Sequence, residues 1–203
     1  MIGKKYFYKN KYMKKVAIIY ICTWNYDVFW DDFYKSSERN FLLDCKKHYF
    51  VFTDSKKIIT NEDITVIQKE KLEWPFSAFI KFDYILSIKN ELIKFDYIYL
   101  INANTIIKKT LLSNKLCPLW KYKLVWVKHI WFIDKESSFF PYERNKKSKA
   151  FIKYNEWLNY FFSATSWWLA NEYLKLCETC KNRFEEDYKN NIIPIWHDES
   201  YIN

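Results

Sequence analysis

Glycine occurs once in the 203 residues, at Gly3. That near-absence excludes whole site architectures. The Walker A loop, the G-x-G-x-x-G dinucleotide turn and the G-x-S-x-G nucleophile elbow all need glycines at fixed places. Standard P-loop NTPases, fingerprint-type Rossmann dehydrogenases and α/β-hydrolases are therefore poor matches.

The chain is long enough to bury a real core and is read as a single domain over 1–203, with 1–12 as an extension ahead of Met13. Half of its residues are hydrophobic and 22% are aromatic, which argues against disorder. The apolar runs are short and broken by charges. None approaches the roughly 20 residues that span a bilayer, and the N-terminus lacks the apolar core of a signal peptide. Five cysteines, an odd number, without a secretory signal fit a reducing cytoplasm. The expected location is cytoplasmic, with peripheral attachment at the inner membrane face as a variant. Cys177 and Cys180 form a C-x-x-C, but they share one helical face with Tyr173, Leu176 and Phe184, so buried packing is expected rather than zinc. The net charge of +9 suits an anionic partner, although biased composition accounts for much of it.

Apolar patterning predicts strands at Val16–Ile21, Tyr49–Thr53, Ile64–Gln68, Asp96–Ile101 and Leu124–Val127. Helical spacing covers Phe29–Cys45, a segment opened by Pro75 in which Phe82, Ile85, Ile88 and Leu92 recur, and about Ala170 to Tyr188. Further strands are expected at Leu158–Phe162 and Ile192–Trp196. The alternation indicates an α/β protein with a mostly parallel sheet covered on both faces. Ligands of such sheets bind beyond the carboxyl ends of the strands. Three such ends carry small or polar residues: Cys22-Thr23-Trp24, Thr53-Asp54, and Asn102 with Asn104.

Trp196-His197-Asp198-Glu199-Ser200 is the densest cluster of reactive side chains. An imidazole and two carboxylates after an apolar run suit either a functional site or a solvated turn. Only three histidines exist, none paired at i, i+3 or i, i+4, so a metal site is the weaker reading. Tyr142-Glu143-Arg144 with Lys146, Lys147 and Lys149 reads as a basic loop able to meet phosphate. The acidic Asp198-Glu199 and the lack of a basic helix count against nucleic acid as partner.

Several segments together resemble glycosyltransferase family 6: YICTWNYDVFWDDFYKSSERNF (20–41), HYFVFTDS (48–55), FDYIYLINANT (95–105), YERNKKSKAFI (142–152) and NNIIPIWHDESYIN (190–203). The family includes the ABO blood-group transferases, α-1,3-galactosyltransferases and small bacterial relatives. The resemblance implies a GT-A fold: a Rossmann-like, mostly parallel sheet flanked by helices, with an irregular acceptor-binding second half. It implies retaining transfer of galactose or N-acetylgalactosamine from UDP-Gal or UDP-GalNAc to the 3-hydroxyl of a galactose-containing glycan. Asn102-Ala103-Asn104, in place of Asp-x-Asp, resembles the bacterial members that work without metal, so no cofactor is expected. Residue by residue, Ile21, Cys22, Thr23 and Tyr26 match the uridine segment, and Lys81 a basic residue near phosphate or ribose. Asn102 and Asn104 match the donor-binding pair, and Phe162, Ser163 and Ala164 the positions that select the donor sugar. Asp198 matches a residue that binds the transferred sugar. His129, Trp196 and His197 match acceptor contacts, and Glu199 the catalytic carboxylate. With no metal, Lys81 and Arg144 are the cations expected to offset UDP. Departures accompany the match. Trp24 and Trp131 stand where the family has glycine, as do residues around Ser166-Trp167-Trp168, and the family's C-terminal tail is absent. A truncated or degenerate member that binds nucleotide or glycan without turnover is therefore the alternative.

Overall fold

The computed structural model describes residues 13–117 and 124–203; residues 1–12, expected as an extension, lie outside them. A six-stranded sheet has the order β3-β2-β1-β4-β6-β5. Its strands are β1 (Lys15–Ile21), β2 (Lys46–Thr53), β3 (Ile64–Gln68), β4 (Tyr97–Leu100), β5 (Leu124–Lys128) and β6 (Phe161–Leu169). The first four in space are mutually parallel. β6 runs antiparallel to both β4 and β5. The mostly parallel α/β architecture expected from the alternation is thus present.

β1 explains the continuous apolar run of VAIIY. It lies between β2 and β4, and Val16 to Tyr20 are all fully buried because both faces are covered. On one face Val16, Ile18 and Tyr20 pack with Trp30 and Phe33 of α1 (Trp30–Asn40). On the other, Ala17 and Ile19 meet α2 (Phe76–Ser87) and α5 (Ala170–Lys189), joined by Tyr201 of α6 (His197–Ile202). Two short helices, α3 (Lys89–Leu92) and α4 (Ser113–Leu116), lie on either side of β4 in the chain. Cys177 and Cys180 are buried in the second core, as packing residues, and burial pushes the Cys180 thiol up to about 12.

Several boundaries differ from the sequence expectations. The Phe29–Cys45 helix stops at Asn40, because Phe41 turns extended to bridge Leu111 and Leu42 takes a left-handed conformation. The Leu158–Phe162 strand instead spans Phe161–Leu169. The Ser163-Ala164-Thr165-Ser166 stretch continues it, with the buried Ser166 hydroxyl 3.1 Å from that of Tyr173. Ile192–Trp196 is not a strand. Asn191 ends α5 in a left-handed turn, with the Ile192 N–H donating to the Asp187 carbonyl at 2.9 Å. Pro194 has no N–H for a ladder, and the Ile195 N–H donates to Glu143 Oε2 at 2.8 Å.

Candidate active site

The strand order dictates where a ligand fits. From β1 the chain moves outward to β2 and β3, then returns through α2 to β4 on the other side of β1. The order reverses between β1 and β4, and a crevice opens at their carboxyl ends. A cleft of about 250 Å³ lies there. Ile21 closes β1, Leu100 to Ala103 leave β4, and Ser77, Ala78 and Lys81 face it from α2; Ser163, Ala164 and Asp198 complete the wall.

β6 explains how the chemistry is held. Its last pair with β4 is Leu100 with Ser166. Residues 161–165 run on past the end of β4, leaving a strand edge open on that side. Side chains occupy it instead of a strand. The carboxamide of Asn203 accepts from the Phe161 N–H at 2.8 Å and donates to the Phe161 carbonyl at 3.0 Å. Two residues on, the Ser163 N–H donates to Glu199 Oε2 at 2.9 Å, and Lys81 Nζ donates to the Ser163 carbonyl at 3.3 Å. The period of two is that of a β-strand edge. Asn203 Nδ2 also donates to the Glu199 carbonyl at 3.0 Å. The same side chain therefore ties α6 to β6 at the residue carrying the carboxylate.

Lys81 is 8% exposed and forms an ion pair with Asp198. Fully buried Asp187 accepts from the Tyr201 hydroxyl at 2.9 Å and the Ser148 hydroxyl at 2.6 Å, linking α6 to α5 and to the 142–152 loop. Tyr160 is buried beside the carboxylates. Burial first, and the Glu199 charge next, raise its phenol well above the ordinary value. Burial likewise lowers the pKa of His197, whose ring lies 4.3 Å from that of Trp74.

Of the residues singled out in the sequence, Ile21, Lys81, Asn102, Ser163, Ala164 and Asp198 line this cleft, and Glu199 adjoins it through Ser163. Cys22 is buried in the α1-side core, with its carbonyl accepting from the Thr53 hydroxyl at 3.0 Å. Tyr26 lines a separate, aromatic-walled depression with Trp24 and Trp74. His129 and Phe162 line another pocket. Thr23 follows β1 directly, while Asn104 and Trp196 are exposed. Arg144 does not line the cleft. Its guanidinium donates to the Ile152 carbonyl at 2.6 Å and sits 4.1 Å over the Tyr154 ring. Ser77, Tyr160, Asp187 and Asn203 were not foreseen as site residues. Only Ser77 had a usable signal, its i, i+4 spacing from Lys81 on α2.

The fold and cleft define an α/β protein with a crevice at a sheet switch point and a carboxylate held against the cleft wall. The comparisons are narrower. The profile of glycosyltransferase family 6 matches residues 2–203, and the chain belongs to that family. It is 31% identical over 190 residues to the O-antigen biosynthesis glycosyltransferase WbnI of Escherichia coli, covering 93% of this chain and 80% of that protein. It is 23% identical to the histo-blood group ABO system transferase 2 of Rattus norvegicus, covering 88% of this chain and 54% of that protein. It is 24% identical to the globoside alpha-1,3-N-acetylgalactosaminyltransferase 1 of Gallus gallus, covering 88% of this chain and 53% of that protein. The chain thus spans about half the length of the two animal relatives. Among the described residues no helix is long and apolar enough to cross a membrane.

Proposed function

We propose that the chain is a retaining glycosyltransferase moving galactose or N-acetylgalactosamine from a UDP-sugar to the 3-hydroxyl of an acceptor galactoside, without metal. The observation that carries this reading is Glu199, whose carboxylate is fixed by the Ser163 N–H beside the switch-point cleft. Retention requires the acceptor oxygen to add on the face that UDP leaves. A carboxylate facing the anomeric carbon supports that outcome in two ways: through a glycosyl ester, or by stabilising an oxocarbenium-like state. Either way the bond from the anomeric carbon to the β-phosphate oxygen breaks. The bond to the acceptor oxygen forms, and the acceptor hydroxyl gives its proton to the departing β-phosphate oxygen.

The donor set favours metal-free work. Asn102 offers the cleft a neutral amide, a poor substitute for the anionic oxygens that hold a divalent cation, but able to donate hydrogen bonds to phosphate or ribose. Lys81 is the cation in the cleft wall and is assigned the charge of the leaving group. The roles of Ile21, Thr23, Tyr26 and Asn104 toward the nucleotide, and of His129, Trp196 and His197 toward the acceptor, belong to the same proposal.

The test is release of UDP from UDP-Gal and UDP-GalNAc in the presence of a galactoside. Activity is expected to persist in EDTA and to fall about 10²–10³-fold in Glu199→Gln. Loss of activity with chelator overturns the metal-free reading, and an undiminished Glu199→Gln removes Glu199 from its role. One observation favours a second reading, nucleotide binding without turnover: the Lys81 ammonium is already matched by Asp198. Calorimetric binding of UDP with no UDP-sugar consumption would select it.

A further inference from the structure

Most buried hydroxyls in a folded chain have a hydrogen-bond partner. Tyr160 is an exception. The residue is 2% exposed, and its hydroxyl oxygen is buried with no partner among the described residues. The rest of Tyr160 is firmly held. Its carbonyl accepts from the His129 N–H at 2.9 Å, and the next residue, Phe161, is fixed at both backbone groups by Asn203. Its ring packs with Phe140, Tyr142 and Ile152 and lies 5.0 Å from that of Phe132. The other phenol of this cluster, Tyr142, donates to the Asn159 carbonyl at 2.7 Å. The orphan is therefore one donor on a rigid support.

Glu199 is the group it faces. Of the charges that act on the Tyr160 phenol, the Glu199 carboxylate comes first and Asp198 follows. Asp198 is already matched by Lys81. Glu199 takes the Ser163 N–H on Oε2 at 2.9 Å. One such bond leaves the carboxylate plane free to turn about it, and a carboxylate has room for further donors. Burial first, then the Glu199 charge, keeps the phenol protonated, so it has a proton to share that an ionised carboxylate can only accept.

We infer that Tyr160 is a positioning residue for Glu199, its hydroxyl donating to Oε1 as the carboxylate turns toward the sugar. Ser163 and Tyr160 then hold one oxygen each, which fixes the carboxylate plane. The inference rests on the proposed role of Glu199 in the transfer. Tyr160 stays a phenol throughout, and no proton leaves it. The partner reaches the buried hydroxyl by rotation of the Glu199 side chain, while the anchored start of β6 stays in place.

The experiment uses Tyr160→Phe, which keeps the ring packing and removes only the unpaired oxygen, so the melting temperature is expected to hold. A hydrogen bond to a charged group is lost during transfer, and kcat is expected to fall about 10–100-fold, with KM for the UDP-sugar within about threefold. In a Glu199→Gln background the same substitution is expected to have little further effect, because both changes act on one carboxylate. An unchanged kcat in Tyr160→Phe, or an equal loss in both backgrounds, overturns the inference. If Glu199→Gln keeps full activity, the failure lies with the proposed function. NMR of the Tyr160 hydroxyl proton, assigned by its disappearance in Tyr160→Phe, then still reads the contact. A downfield resonance protected from solvent exchange, shifted upfield in Glu199→Gln, supports the inference. No protected resonance, or one unmoved in Glu199→Gln, overturns it.

Discussion

Asn203 offers a direct test of how the proposed catalytic carboxylate is held. Asn203→Ala removes both bonds to Phe161 and one of two bonds to the Glu199 carbonyl; the Asn203 N–H to that carbonyl, at 3.2 Å, remains. Each lost bond to a partly buried backbone group contributes about 1 kcal/mol. The two at Phe161 therefore hold α6 on β6 by about 2 kcal/mol. Losing that preference reduces the population with Glu199 against Ser163, so kcat falls by about 10–30-fold. The cleft proposed to take the donor is lined by other residues, so KM for the proposed UDP-sugar is expected to change by less than about threefold. The amide of Asn203→Gln has the same donors and acceptor on a longer stem, and partial recovery of kcat is expected. Steady-state kinetics of the three proteins, with melting temperatures measured alongside, check this. An unchanged kcat in Asn203→Ala with a lowered melting temperature would refute the reasoning, since the anchor would then stabilise the fold without orienting Glu199. Equal loss in Ala and Gln variants would show that side-chain shape, not hydrogen bonding, matters.

Lys81 and Asp198 are both largely buried, with 10% and 13% of their side chains exposed. Lys81→Met leaves a buried carboxylate without its counter-ion and is expected to cost about 3–5 kcal/mol in denaturant unfolding, while the double variant with Asp198→Asn recovers part of that loss. A fully additive double variant would sink the pairing argument. His48 and His197 both have pKa values lowered from 6.5, chiefly by burial. The unfolded chain then binds more protons at these two sites than the native one just below that pH, so their contribution to stability is fully present above 6.5 and declines as pH falls through it toward the native pKa values. Melting temperatures between pH 7.5 and 5.5 should show the decline, and His48→Gln should flatten it; a melting temperature that rises on acidification contradicts the assignment.

The parts of the fold legible in the sequence are those where burial is one-dimensional. VAIIY and YFVF are continuous apolar runs because each strand has covered faces on both sides, and that pattern survives without knowledge of neighbours. β6 was misplaced because its middle is Ser-Ala-Thr-Ser. Its strand character comes from pairing with Tyr99 and Val125 through Trp167, and from the Tyr173 hydroxyl beside Ser166. The apolar content of Ile192–Trp196 was equally misleading, since Pro194 and the Glu143 carboxylate decide its backbone. At the site, the WHDES string stood out because carboxylates and an imidazole are rare after an apolar run. Asn203 and Tyr160 did not, because their roles exist only once β6 outruns β4 and exposes an edge.

The scarcity of glycine returns as a conformational cost. Among the described residues, five that are not glycine have left-handed backbones: Trp24 (φ 63°), Leu42 (48°), Asn155 (61°), Asn191 (56°) and His197 (51°). Asparagine tolerates this region readily, while Trp, Leu and His each lose about 1–2 kcal/mol there. Such strain persists only where surrounding contacts over-determine it. Leu42 is fully buried. Trp24 donates its N–H to Asp54 Oδ2 at 3.1 Å and its indole N–H to the Leu72 carbonyl at 3.3 Å. His197 is held between the rings of Trp74 and Phe79. Trp24 follows β1 and opens the 3₁₀ turn Trp24–Phe29. His197 opens the helix that carries Asp198 and Glu199. Two of the three costly positions thus border the proposed donor and catalytic segments, where a fixed chain direction matters more than a relaxed one.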